Sequence, residues 1–395
     1  MVVKETQYLT YKVDKSLYAG IIYAGRVYNS ATETNMLFVK FILIIFLVSI
    51  FIKTRKTVFI SMKTGSVRLK EIAIRTGFTI NTVSRALKNK DDISQKTQKL
   101  IQDVAKEIGY INNSVAGALR SGFTKIIAVI LGDISNPHFA IMAKEIECAA
   151  SKFQYTTIII NTNENEAIEK QAIYSALSKK VDGIILCPCQ KSAENINFLK
   201  RTATPFVLIG RRVRDPHVDF VIVNDAKGGY LATQHLIKRG HKNILLLNGP
   251  KYISSARERG AGYKKALRDN AIPLSNDLIR EIVVTGEDLQ HFVNKIIDEG
   301  TRFSAIFAFS DLIAWETIFA LNNRGLKVPE DVAIVGFDDI QSRLFFPIPL
   351  TTIGSINGRM SETAVKMLMT KIQSKKKIPA CNAVVDVDLV VRNTA

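Results

Sequence analysis

Cysteine is scarce in this chain: Cys148, Cys187, Cys189 and Cys381 are the four among 395 residues. They are too few and too scattered for a disulfide framework and suit a reducing compartment. Cys187 and Cys189 close the apolar run GIILCPC with no second Cys/His pair nearby. Buried free thiols are the expectation there, and no metal is. Acid is also short, with 36 Asp and Glu against 54 Lys and Arg, a formal charge of +18. That excess points to nucleic acid or an anionic surface, or to a merely basic, solvated protein. Catalytic fingerprints are missing too. The first strand-like run ends in LGDISNPHF, which lacks the G-x-G-x-x-G that lets backbone approach a pyrophosphate, and GAG at 260–262 lies inside a helical stretch. No G-x-x-x-x-G-K-[ST] and no Ser/His/Asp set can be placed, so no catalytic residue, enzyme activity or cofactor is expected.

Long apolar runs are equally rare, with one exception. MLFVKFILIIFLVSIFI, residues 36–52, carries a single charge, Lys40. A bilayer span needs ~20 apolar residues, so this run is at the short end even with Lys40 snorkelling to the interface. Lys53, Arg55 and Lys56 would place its C-terminal side in the cytoplasm. A signal peptide does not fit, because the run begins late and SIFIKTRK offers no small-residue cleavage site.

From about Val67 the composition changes. LKEIAIRTGFTINTVSRALKNKDDISQKTQKLIQDVAKEIGY reads as three short helices. In the first, Leu69, Ile72 and Ala73 share a face, and Gly77 supplies the positive φ of a tight turn. Thr79 is an N-cap for the second, which turns Val83 and Leu87 inward at i, i+4. The third runs from about Gln95 with Leu100, Val104 and Ile108 on its apolar stripe, and stops at Gly109. Two helices joined by a short Gly-containing turn form a helix-turn-helix. With Val83 and Leu87 buried, Asn81, Thr82 and Arg85 project on the opposite face. Arg suits guanine and Asn adenine in the major groove, whereas an ordinary charged solvent face is the plainer alternative.

From Thr124 onward KIIAVIL, YTTIIIN, GIILC, PFVLIG, NILLLNG, SAIFAFS and VAIVGF alternate with amphipathic helical stretches. This rhythm means βαβ units and parallel sheets covered on both faces. It continues for about twice the length of an ordinary domain, so two lobes are expected.

These stretches together carry a resemblance. LKEIAIRTGFTINTVSRAL, ISQKTQKLIQDVAKEIGY and SVAGALRSG are similar to the DNA-binding head of the lactose-repressor (LacI/GalR) family. DISNPHF, VDGIIL, HLIKRGHKNILLLNGP, RERGAGYKKAL, GLKVPEDVAIVGFDD and PLTTI resemble its effector domain, in the family's order. The resemblance covers about residues 66–395. It implies an α/β fold with a three-helix head at 66–111 and a hinge helix at 112–122. Residues 124–395 would form a two-lobed, periplasmic-binding-protein-like domain of two doubly wound parallel sheets, responsible for effector binding and dimerisation.

Matched position by position, the resemblance implies that Ile80, Asn81 and Arg85 meet bases, with Thr79, Thr82 and Ser84 at or near phosphates. In the hinge, NNSVAGALRSG, it assigns DNA contact to Asn113, Ala116 and Leu119, the last as a wedge into the minor groove. Asn112 stands where the family usually has proline, and Gly117 costs ~1 kcal/mol of helix stability relative to Ala; both should make the hinge readier to melt. In the effector domain Arg259 aligns with a ligand-binding arginine and Asp338 with a carboxylate that accepts from ligand hydroxyls. His138 and Phe139 fall where rings stack on a sugar or base. Asn136, Arg211, Ser255 and Ser310 occupy neighbouring family positions, each with a plainer reading as a surface or loop-capping residue.

The implied function is a cytoplasmic, sequence-specific transcriptional regulator, most simply a repressor. It would bind double-stranded operator DNA as a homodimer, presenting two recognition helices about 34 Å apart. Its effector would be a sugar or sugar derivative, or less readily a purine. Family members begin a few residues before the first head helix, where this chain has Met62. Residues 1–61 are therefore expected to precede the native start; the alternative is a membrane-tethered regulator using 36–52. An exported sugar-binding transport protein shares the two-lobed fold but has no use for residues 66–122.

Overall fold

The computed structural model describes residues 67–111, 122–282, 288–355, 359–374 and 378–395. The apolar run at 36–52 and Met62 lie outside these residues, as do Asn112, Asn113, Ala116, Gly117 and Leu119 of the hinge. Among the described residues no helix is long and apolar enough to cross a membrane. The chain divides into two compact units, the division falling between Asn112 and Asn113.

The first unit is built from α1 (Leu69–Thr76), α2 (Ile80–Ala86) and α3 (Gln95–Glu107). Gly77 ends α1 at φ 75°, and its N–H bonds the Ala73 carbonyl at 2.9 Å. That left-handed stop is what lets the chain reverse within a few residues. Thr79 caps α2 by accepting from the Thr82 N–H, and Ser94 caps α3 from the Thr97 N–H. Ile72, Val83, Ala86, Ile101 and Ala105 form a fully enclosed core. The stripe of α3 differs from the expected one. Leu100 is 49 % exposed and Ile101 is buried, with Val104 and Ile108 packed against the core. Residues 101, 104, 105 and 108 keep the i, i+3, i+4, i+7 spacing of one face; Leu100 sits a third of a turn away.

The second unit contains two lobes. Lobe 1 holds β1 (Ile126–Leu131), α4 (Pro137–Ser151), β2 (Thr156–Asn161), α5 (Glu166–Ser178), β3 (Gly183–Leu186), α6 (Glu194–Lys200), β4 (Phe206–Ile209) and β5 (Phe220–Val223). The chain then enters lobe 2 with α7 (Asp225–Lys238), β6 (Ile244–Asn248), α8 (Ser254–Asp269), β7 (Ile279–Glu281), α9 (Leu289–Asp298), β8 (Ala305–Ala308), α10 (Asp311–Asn323), β9 (Ala333–Phe337) and β10 (Thr351–Ser355). It returns to lobe 1 for α11 (Arg359–Gln373) and β11 (Asn382–Val385), and ends in lobe 2 as β12 (Val387–Val390). Three crossings therefore join the lobes.

The first sheet runs β11-β5-β4-β3-β1-β2, all parallel. The second runs β12-β10-β9-β8-β6-β7 and departs from the all-parallel expectation at one edge, where β12 is antiparallel to β10. Only Asp386 separates β11 from β12. The chain thus steps from sheet to sheet without the crossover helix a parallel entry needs. Both sheets are buried on two faces, which explains the unbroken aliphatic runs. Ile127, Val129 and Leu131 pack beneath α4 and α11, while Ala128 and Ile130 pack on α5 and α6. In lobe 2, Leu245 and Leu247 face α9 and α10, and Ile244 and Leu246 face α7 and α8.

Candidate functional site

In the head, α2 turns Val83 and Ala86 inward, leaving Ile80 49 % exposed and Asn81 and Arg85 exposed as well. Thr82 and Ser84 are half-buried on its flanks. Thr79 has its hydroxyl 2.9 Å from that of Thr82, so both are tied to the start of the helix. Arg85 is not free in solvent. Its Nε donates to Asp92 Oδ2 at 2.7 Å, and Nη2 lies 2.7 Å from Oδ1. Asp92 was not singled out by sequence reasoning; the spacing of seven residues across a turn gave no periodic signal.

In the second unit, all eight expected ligand residues line one cavity of about 60 Å³ between the lobes: Asn136, His138, Phe139, Arg211, Ser255, Arg259, Ser310 and Asp338. They sit at the C-terminal ends of parallel strands or on the helices that follow. Open α/β sheets expose loops there that can converge on a ligand. Met142, Cys187, Gly210 and Phe309 complete the lining. Asn136 and Ser310 are also N-caps, accepting from the His138 and Ile313 N–H groups respectively. Both residues therefore cap helices, as their plainer reading has it, and also line the cavity.

Arg259 owes its position to a close helix pair. A Cβ on Gly229 of α7 would lie 2.2 Å from the Arg259 carbonyl, and one on Gly262 of α8 2.2 Å from that of Ala226. The two glycines let the helices touch backbone to backbone and bring the Arg259 guanidinium over Asp225. Nε donates to Asp225 Oδ1 at 2.9 Å, Nη1 donates to the Phe309 carbonyl, and Nη2 lies 3.9 Å from Asp338 Oδ1. The cation also rests 3.5 Å from the Phe337 ring centroid, a desolvated cation–π contact. Much of its fork is thus committed within the protein.

Arg211 is held as firmly. Nη1 and Nη2 donate to the two carboxylate oxygens of Glu164 at 2.7 and 2.8 Å, and Nη1 also reaches the Pro188 carbonyl at 2.9 Å. Glu164 and Asp225 are charge partners that sequence reasoning missed. Both lie in polar loop or cap segments that look like ordinary surface until the fold brings them to an arginine.

Asp338 adopts φ 116°, a conformation that costs a non-glycine residue about 1–3 kcal/mol. The turn is pinned from several sides. Asp338 N–H donates to Ile353, Arg392 holds Asp339 at 2.6 Å, and buried Asp311 accepts from the Ile340 N–H and the Thr352 hydroxyl. Burial pushes the Asp338 carboxyl up to about 7, against the pull of Arg259. His138 approaches from the other lobe, its Nδ1 3.6 Å from Asp338 Oδ1. Burial and the Arg259 cation depress this imidazole to about 4. The histidine is therefore neutral near pH 7, and the contact is dipolar rather than an ion pair. Burial holds the Cys187 thiol up at about 12, so it lines the cavity uncharged.

Polar contacts draw the lobes together beside the cavity. Arg212 donates to Glu258 at 2.6 and 2.9 Å, the Ser254 N–H donates to Gln190 at 2.9 Å, and Arg343 reaches Glu145 at 2.7 Å. The enclosed space has room for only a few waters. A ligand of sugar size needs more room than this.

Two family models match the chain. One, described as bacterial regulatory proteins of the lacI family, matches residues 68–113. The other, described as periplasmic binding proteins and sugar binding domain of LacI family, matches residues 124–388. The HTH-type transcriptional repressor PurR of Pasteurella multocida is 30% identical over 310 residues, 78% of this chain and 93% of that protein. The HTH-type transcriptional regulator DegA of Bacillus subtilis is 32% identical over 332 residues, 82% of this chain and 96% of its own. Among solved structures, the lac repressor dimer bound to operator and the anti-inducer ONPF superposes with a TM-score of 0.72 at 26% identity. It covers 83% of this chain and 99% of that one.

Proposed function

The chain belongs to the LacI family of bacterial transcriptional regulators, and from that premise we propose that it is a cytoplasmic repressor whose effector is an uncharged, hydroxyl-rich molecule, a sugar or sugar derivative. Repressors of this family bind operator DNA and small-molecule effectors and function as dimers. In this chain the helix-turn-helix head would read the operator through Ile80, Asn81 and Arg85, and the cleft of the second unit would take the effector. Effector binding changes how the lobes close, and the ligand's differential affinity for the two arrangements sets the DNA-binding equilibrium.

One observation carries the effector class. Both guanidinium groups at the cavity already meet carboxylates, Arg211 with Glu164 and Arg259 with Asp225. The cavity therefore offers donors, acceptors and the Phe139 and Phe309 rings, with its positive charge already matched by negative charge. A phosphate or carboxylate on the ligand would have to displace a buried acid from its arginine, which is costly in a low-dielectric site. Hydroxyls, by contrast, can donate to the Asp338 carboxyl and accept from the His138 ring. The test is a thermal-shift screen of the purified chain against neutral monosaccharides and disaccharides, their phosphate esters, and nucleobases. Stabilisation by a neutral sugar supports the proposal, because ligand at a hundred times its Kd adds about 2.7 kcal/mol to the folded state. A response confined to sugar phosphates or to nucleobases overturns it.

A further inference from the structure

We propose that Asp92, in the loop between α2 and α3, orients Arg85 and so sets its base preference; this rests on the reading of α2 as the helix that enters the major groove. Arg85 carries five N–H donors in a rigid plane. Asp92 takes two of them from the side, with Nε to Oδ2 and Nη2 to Oδ1 both at 2.7 Å. The contact leaves unused the far edge of the plane, Nη1 together with the second Nη2 hydrogen, at the end away from the aliphatic stem. That edge has the spacing to meet N7 and O6 of guanine. The carboxylate thus holds the arginine by one edge while the other stays open towards a base.

A positioning group must itself be fixed, and this one is. Gln98 of α3 donates to the Lys90 and Ile93 carbonyls, both at 2.9 Å, and Gln102 donates to Asn89 Oδ1 at 2.7 Å. Backbone bonds from Lys90 to Arg85 and from Ile93 to Lys90 close the same loop. The Asp92 backbone is therefore clamped between the helix it serves and α3. A carboxylate beside the reading face also opposes the phosphate backbone. Its net effect on DNA affinity should be unfavourable on random sequence and favourable only where Arg85 reads its base.

This opposition gives the test its sign. The full chain is used to select a duplex from a randomised pool, and binding to that duplex and to its scrambled counterpart is measured across a salt series. Asp92→Asn keeps the shape and removes the charge. It should tighten binding to the scrambled duplex, steepen its salt slope by about one, and shrink the selected-to-scrambled ratio by roughly tenfold. The loss should fall at one G·C pair in a repeat selection, with the melting temperature unchanged. Asp92→Glu, which keeps the charge on a longer stem, should recover part of the ratio. An unchanged ratio in Asp92→Asn overturns the inference, as does equal tightening on both duplexes, which would mean that Asp92 merely competes with DNA. A ratio that falls only in step with melting temperature assigns Asp92 a structural role and overturns it too. If the unaltered chain shows no preference for the selected duplex, the reading of α2 fails first and the inference with it.

Discussion

Arginine meets carboxylate in both units of the molecule, under opposite conditions. In the head, Arg85 and Asp92 keep 44 and 50 % of their side-chain exposure. In the cleft, Arg211 and Glu164 keep 5 and 9 %, and Arg259 and Asp225 keep 8 and 2 %. Exposed pairs are screened by water and salt and contribute little to stability. Such a pair can adjust at little cost, which suits a side chain proposed to read a base while its protein partner holds the opposite edge. Buried pairs cannot be exchanged cheaply, because releasing either partner strands a charge in a low-dielectric interior. The same chemistry is therefore adjustable in one place and fixed in the other, and the two should respond differently to mutation.

The largest effect is expected where a buried pair is broken. Glu164→Gln keeps the shape but leaves Arg211 without its countercharge, and should destabilise the second unit by about 3–5 kcal/mol in denaturant unfolding. A loss below about 1 kcal/mol would show that solvent reaches this pair and that the contrast with the head is not real.

Arg85→Ala should do the reverse. Its unfolding transition should not move, since the side chain is exposed and its pairing with Asp92 is screened. Affinity for the selected duplex should nonetheless fall on the order of ten- to a hundredfold, with preference relaxed at one base pair. An equal loss on all duplexes would mean that Arg85 touches only phosphate.

Titration of the cleft gives a signed effect. Burial raises Asp338 from 3.8 to about 7, so the native state keeps a proton that the unfolded chain has released. The stability linked to that group is fully present below about pH 4 and is lost as pH rises to about 7. His138 behaves oppositely, lowered from 6.5 to about 4, so its contribution is present above about pH 6.5 and lost as pH falls to about 4. Across most of that interval the two slopes oppose each other. Asp338→Asn should therefore gain stability relative to the parent as pH rises from about 4 to 7. His138→Gln should lose relative stability between about 4 and 6.5. Unfolding curves at several pH values check both signs, and parallel profiles would mean that neither group is shifted.

How much of this was legible in the sequence follows from what is local. The head could be read because its core spacing, its Gly77 turn and its Thr79 cap each lie within a few residues. The cleft residues were legible through the family resemblance of short stretches such as DISNPHF and GFDD, and they line one cavity because those stretches follow strand ends. The partners could not. Glu164 meets Arg211 across 47 residues, and Asp225 meets Arg259 across 34; neither separation leaves a periodic trace. Strands β5, β7, β10, β11 and β12 were not among the runs read as strands. β11 also pairs with β5 only because the chain has returned from the other lobe. Its half-exposed edge lacks the continuous aliphatic signature of a central strand.

Leu100 is where local spacing misled, and it yields the smallest expected effect. Leu100, Val104 and Ile108 repeat at four residues and look like a stripe. Yet the face that meets α1 and α2 is centred one position later, on Ile101, Val104, Ala105 and Ile108. A helix advances about 100° per residue, so a register error of one position carries a side chain from the core to its rim. Leu100→Ala should consequently change the stability of the head by no more than about 0.5 kcal/mol, as surface substitutions usually do. Ile101→Ala, one residue on, should cost about 2–5 kcal/mol by opening a cavity between the three helices. Denaturant unfolding of the two variants decides the register. If Leu100→Ala proves the costlier, α3 presents its other face to the core, and the assignment of the α2 surface that depends on that packing must be rotated with it.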